Sequence, residues 1–270
     1  MSVITSPIGR DCRVTQARVI LSEWTKLRTL RSSVWSLLGA VVFMAGLGIL
    51  VAALQVTHWS QLDPHDRATY DPVGTALIGA LVAQLAIGVL GVLVVTGEYA
   101  TGTIRATFAA VPRRLPVLWA KALVFIVVTA VLMTVCALVA FFGTQPIIAT
   151  RHVDTSIGSV GVARAVFGAG LYLAVVGLLG VSLGALVRNT AGGIGSLAGV
   201  MFVLPGVAAI LPHSWGDAID PYLPSSAGGQ IMAWHPDPSG LAPWTGFGLF
   251  LGYTVVTLAV AAVLLVRRDT

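Results

Sequence analysis

Five histidines, His58, His65, His152, His213 and His235, with Asp217, Asp220 and Asp237, are the side chains best suited to holding a metal ion, since imidazole and carboxylate are ordinary metal ligands. Their spacing matches no ligand motif, so they read as solvated loop residues and no metal is assigned. Hydrolytic chemistry requires a nucleophile beside a base. Ser182 and Ser196 lie in apolar runs, but no His or Lys falls at their depth to activate them, and serines so placed more often pack or bond locally. Phosphate chemistry requires a glycine-rich turn ending in Lys-Ser or Lys-Thr, whose backbone amides and lysine hold the phosphates. The chain has only two lysines, Lys26 and Lys121, and neither stands in such a turn. No catalytic residue, cofactor site or metal site is therefore assigned.

The elements that carry these residues belong in a membrane. Of 270 residues, 56% are hydrophobic and only 10% charged, with a mean hydropathy of +0.90; soluble domains average about 25% charged. Cys12 lies in a polar segment and Cys136 in an apolar run, which argues against a disulfide between them. Six apolar runs are long enough to cross about 30 Å of hydrocarbon as helices: Val34 to Val56, Gly74 to Val95, Val117 to Phe142, Val162 to Val187, Ala191 to Leu211 and Trp244 to Val266. They are continuous rather than alternating, which favours helices over a barrel. Most basic residues, among them Arg10, Arg13, Arg18, Lys26, Arg28, Arg31, Arg105, Arg113, Arg114, Lys121, Arg188, Arg267 and Arg268, fall on one side of these spans. Arg67, Arg151 and Arg164 fall on the other. The excess of Lys and Arg on one side places both termini in the cytoplasm. Transport driven by protons or sodium usually leaves ionisable groups near the bilayer centre. Here Glu98, Arg164 and Arg188 lie near span ends, while Gln55 and Gln84 do not titrate, so power is expected from outside the chain.

Two segments between these runs carry further signal. Over Val14 to Leu30, helical spacing puts Val14, Ala17, Arg18, Leu21, Trp24, Thr25 and Leu27 near one face, with Arg13, Gln16, Glu23, Lys26 and Arg28 mostly elsewhere. This is the pattern of a basic helix in the headgroup region, with Trp24 as its interfacial anchor and Lys26 and Arg28 as basic residues of the same interfacial helix. It serves as a surface anchor, and the same helix is free to bear on a cytoplasmic partner. Between spans two and three, Thr101 or Thr103 is suited to cap a short helix, Pro112 to end it, and Arg113 and Arg114 to hold it at the lipid surface. A docking element is one reading of this segment; an ordinary basic loop is the other.

In this order, Leu21-Ser22-Glu23-Trp24-Thr25-Lys26-Leu27-Arg28, Glu98 at the end of span two, Gly102-Thr103, Pro112-Arg113-Arg114, Lys121 entering span three and the long loop before span six resemble the ABC type-2 exporter permease family. The resemblance implies a dimer of permeases, each receiving force from a separate ABC ATPase subunit, present in two copies, which would hold ATP and Mg. Force would pass through Glu98, Gly102, Thr103, Ile104, Arg105, Thr107, Phe108, Pro112, Arg113 and Arg114, and through the amino-terminal helix. By the same resemblance, spans two and five line the path, which points to Leu77, Leu81, Gln84, Gly88, Phe202 and Leu204. Ser225-Ser226-Ala227-Gly228-Gly229-Gln230 looks like an ABC ATPase signature loop but stands without companion motifs, and reads as a turn.

The expected architecture is an all-α six-transmembrane-helix bundle. Residues 1–32 form a cytoplasmic tail with the interfacial helix, and residues 33–270 form the permease domain. A coupling helix is expected between spans two and three, and short re-entrant helices before span six, the first choice being Ala227 to Trp234. The expected function is export of a hydrophobic or amphiphilic solute (drug, lipid or lipid-like) across a bacterial inner membrane by alternating access, as a homodimer. An anchor or sensor subunit of an ATPase complex is the principal alternative, and an intramembrane enzyme the other. Glycine pairs at Gly180 and Gly184, Gly195 and Gly199, and Gly248 and Gly252 would allow close helix contact, within the bundle first and at a dimer seam second.

Overall fold

Every regular element is helical in the computed structural model, which describes residues 15–104 and 115–267. Among the described residues six helices are long and apolar enough to span a membrane: Arg31–Thr57, Pro72–Ala100, Leu115–Arg151, Val162–Val187, Thr190–Ala208 and Pro243–Arg267. An amino-terminal helix, Gln16–Thr29, precedes them. The end of the bundle that carries Gln16 and Arg267 is called basal here, and the opposite end distal. Span four matches its sequence-derived bounds. Span three runs on past Phe142, where the Thr144 hydroxyl donates to Phe141 O at 2.8 Å and Gln145 Oε1 accepts from Thr155 N.

Span four is the axis of the bundle, with 83% of its most apolar window buried, against 22% for spans one and five. Its small residues let the neighbours come close. A Cβ on Gly180 would meet Gly88 O, and one on Gly91 of span two would meet Gly177 O. Of the three glycine pairs, Gly180 and Gly184 thus pack inside the bundle, while Gly195, Gly199, Gly248 and Gly252 have nothing within 4 Å.

Three spans are not regular throughout. Span two starts cleanly, with Pro72 in its first turn and Asp71 Oδ1 accepting from Val73 N and Gly74 N, each at 2.9 Å. It then breaks after Leu77 and resumes at Ala80. Gly79 sits in the break against the carbonyls of Phe43 and Met44, which belong to a π-turn in span one, Val42–Gly46. Span five carries a second π-turn, Gly199–Val203, immediately before Pro205. Proline has no N–H to return to the carbonyl four residues back, and a widened turn takes up that mismatch.

The distal connection before span six folds onto the bundle as Pro224–Gly229 rather than as the expected Ala227 to Trp234. Pro224 favours the first helical turn, which sets the start earlier than hydropathy suggested. Ala227, Gly228 and Ile231 are buried, with Gly228 against Phe250 and Tyr172. The Arg164 guanidinium, at the distal end of span four, clasps this connection by donating to Gln230 O, Ala233 O and Trp234 O at 3.0–3.2 Å.

Candidate functional site

The amino-terminal helix turns Val19, Glu23 and Leu27, spaced one turn apart, into the protein. Val19 packs with Val117 and Ala120 of span three, and the Gln16 amide donates to Pro116 O at 3.1 Å. This corrects the helical face read from the sequence. Glu23 is buried, whereas Leu21 and Trp24 are 63% and 41% exposed. The helix therefore has two apolar sides, one against span three and one outward beside Trp24 and Arg28, and the glutamate lies in the middle of the inner one.

Glu23 is tolerated there because it meets opposite charge. Lys121 Nζ lies 2.6 Å from Glu23 Oε2 and 2.9 Å from Glu98 Oε1, while Lys26 Nζ lies 2.6 Å from Glu23 Oε1 and 2.9 Å from the same Glu98 oxygen. The chain contains only two glutamates and two lysines, and all four meet in this one cluster. The side chains of Glu23 and Lys121 are 3% and 5% exposed. Lys121 is reached about 9 Å along span three from Leu115, at 1.5 Å per residue. Removing one partner from such a buried set leaves an uncompensated charge, at a cost of about 3–5 kcal/mol. Burial draws the Lys26 pKa down, but hydrogen bonds and charge from Glu23 and Glu98 outweigh it, and the net effect is to raise it.

Glu98 is one of several neighbours at the end of span two that fan out to different elements. Thr96 Oγ1 accepts from Thr190 Oγ1 of span five at 3.0 Å. The Tyr99 ring lies 5.5 Å from the guanidinium carbon of Arg188 at the end of span four, and Arg188 in turn donates to Leu264 O of span six. Just beyond, the Thr101 hydroxyl donates to Gly97 O and pairs with that of Thr103 across 2.9 Å. Gly102 lies between them at φ +72°, a conformation that suits glycine. Ile104 begins the segment that follows; Arg105, Thr107, Phe108, Pro112, Arg113 and Arg114 lie outside the described residues.

A cavity of about 490 Å³ adjoins the four charges, walled by Leu27, Leu30, Leu93, Val94 and Val124. A second, also about 490 Å³, lies at the distal end, and Leu77, Leu81, Gln84 and Phe202 line it with Tyr172, Met201 and Ser225. Gly88 does not line it, being packed against Leu197 and Val176, and Leu204 is 46% exposed outside it. Ser182 and Ser196 donate to Leu178 O and Gly192 O of their own helices. Among the described residues no three of His, Cys, Asp and Glu come together as a metal would require.

A family model described as ABC-2 family transporter protein matches residues 19–206, a stretch that contains all four charges, spans one to four and most of span five. The chain belongs to this ABC-2 family. As an ABC-2 protein it is a multi-pass membrane permease subunit, and its family associates with an ABC ATPase subunit. Comparison with curated proteins found no match.

Two members of the cluster, Glu98 and Lys26, are among the site residues expected from the sequence; outside the resemblance, Glu23 and Lys121 figure there only as a charge on the amino-terminal helix and as one of the basic residues on one side of the spans. Their signal was scarcity. A chain with two glutamates and two lysines, in which one glutamate falls midway between Val19 and Leu27 on a helical face, has little else with which to neutralise it.

Proposed function

We propose that this permease subunit exports a hydrophobic or amphiphilic solute, paired as a homodimer with two copies of an ABC ATPase that hold ATP and Mg. The basal face is its cytoplasmic side, in the inner membrane of a bacterium. The observation that carries this reading is the four-charge cluster: it joins the end of span two to the amino-terminal helix and to span three, directly before the segment at 101–104. Force applied to that segment by a partner bends Gly102 and is received at Glu98, Thr96 and Tyr99, which bear on four other elements of the bundle. The distal cavity, which has no charged side chain in its lining, suits a cargo that is mostly apolar. Alternating access then consists of closing the basal end around the charge cluster while the distal cavity opens.

The test is co-purification of the tagged chain from native membranes under mild detergent, with transport measured in inverted vesicles of the resulting complex. A stoichiometric partner with a P-loop and ATP-driven uptake of an apolar fluorescent solute are expected. In Glu98→Gln, insertion and partner binding persist while solute moved per ATP hydrolysed falls several-fold. A chain that purifies alone, or a complex that takes up only charged solutes, would overturn the reading.

A further inference from the structure

Gln84 is 6% exposed and lies on span two, in the wall of the distal cavity. The Tyr172 hydroxyl of span four donates to its Oε1 at 2.7 Å, and Tyr172 is itself fixed by the Phe250 ring, 5.6 Å away between centroids. The opposite amide orientation would leave the buried tyrosine O–H with no acceptor, a cost of about 1–3 kcal/mol, so the carbonyl end of Gln84 faces Tyr172. The amide nitrogen is thereby left with two N–H donors and no partner, and it is not sealed from solvent; it opens on the cavity. On the outer helix Ser225 is in the lining but its Oγ is sealed from solvent, and the Ser226 hydroxyl is taken up by Asp220 at 2.8 Å, so it is Gln84 that offers open donors to the cavity.

We propose that the distal cavity binds a neutral amphiphile through a hydrogen-bond acceptor on it, a carbonyl or ether oxygen received by the N–H donors of Gln84 Nε2. The apolar part of the ligand lies on Leu77, Leu81, Met201 and Phe202. An ammonium or carboxylate is disfavoured because no opposite charge lines the cavity and an unpaired charge is costly to desolvate. A plain hydrocarbon would leave the Gln84 donors unmet, as they are now. Tyr172 acts as a positioning residue, since it decides which end of the Gln84 amide the ligand meets. The site deepens the export reading, on which it rests only for the statement that the occupant is cargo.

The test uses the full chain in lipid nanodiscs and three photoactivatable probes with the same alkyl chain: a fatty-acid methyl ester, an alkylammonium and an alkane. The ester is expected to cross-link residues 77–84 and 225–233 about fivefold more than either of the others, the ratio that one net hydrogen bond supplies. Gln84→Leu and Gln84→Met each reduce ester labelling several-fold and leave alkane labelling unchanged. Equal labelling by all three probes, preference for the ammonium, or wild-type ester labelling in both variants would overturn the proposal. If Gln84→Leu is not recovered folded, Gln84→Met and the probe ratios on the wild-type chain decide alone. Failure to co-purify an ATPase with ester labelling intact removes the export reading and keeps the binding site; an active exporter whose probes label equally does the reverse.

Discussion

Lys121 faces two carboxylates and Glu23 faces two ammonium groups, so neither has a substitute if its partners are removed. This makes the cost of substitution asymmetric. Lys121→Met strands Glu23 and Glu98 with Lys26 alone, and should destabilise the protein by about 3–5 kcal/mol. Adding Glu23→Met restores charge balance and should return part of that loss. A thermal-melting cycle of both singles and the double in detergent should therefore give a coupling of about 2 kcal/mol or more, and strict additivity would mean the charges do not act as a set. Lys26 contributes a dependence on pH. Its folded-state pKa lies above the ordinary 10.5, so the stabilisation it provides is complete below that value and is lost as pH rises through the raised one. Wild-type melting temperature should hold steady from neutral pH to about 10 and then fall more steeply than that of Lys26→Met, since only the wild type has this group to lose. Parallel curves would show that Lys26 does not hold the amino-terminal helix in place.

Among the helices, contact with a backbone carbonyl separates the glycines that matter from those that do not. Gly180→Ala drives a methyl group onto Gly88 O, where neither helix can yield, and should cost about 1–3 kcal/mol by overpacking. Gly252→Ala meets nothing within 4 Å and should be neutral or stabilising by about 0.5–1 kcal/mol through helix propensity, unless a second copy packs there. Melting temperatures of the two variants, measured in one detergent, check both; a Gly252→Ala loss as large as that of Gly180→Ala would point to the dimer seam. The six spans were legible because length and continuous apolarity suffice to define a membrane helix. The pairing of glycines was not, since Gly180 and Gly252 look alike in sequence and differ only in what stands opposite. The amino-terminal helix misled in another way. Its two apolar sides overlap on a helical projection, and ranking residues by hydropathy put Glu23 outside with the other charges. Its burial depends on Lys121, 98 residues away in sequence. The break in span two at Gly79 likewise depends on the span-one carbonyls of Phe43 and Met44, which no local pattern reveals.

For the molecule as a whole, the distribution of charge and the place where force enters must agree. Lys26, Arg28, Lys121 and Arg188 stand at the basal end with the charge cluster, while the distal end carries Arg67, Arg151 and Arg164. All three are engaged by backbone carbonyls: Arg67 donates to Leu62 O and Ser60 O, Arg151 to Val56 O, and Arg164 to the outer connection. Distal guanidinium groups committed to carbonyls are structural clasps and say little about topology. The basal excess is what the positive-inside bias acts on, and the orientation proposed above would put the amino-terminal helix, the cluster and residues 101–104 on the cytoplasmic face together. A cytoplasmic ATPase reaches that segment only in this orientation. With Cys12→Ser and Cys136→Ser as background, Val160→Cys, at a distal position 96% exposed, should react with a membrane-impermeant maleimide on intact cells. Thr29→Cys, exposed at the basal end, should react only after permeabilisation. The reverse pattern would put the charge cluster on the wrong side for any cytoplasmic motor, and the coupling role assigned to Glu98 would fall with it.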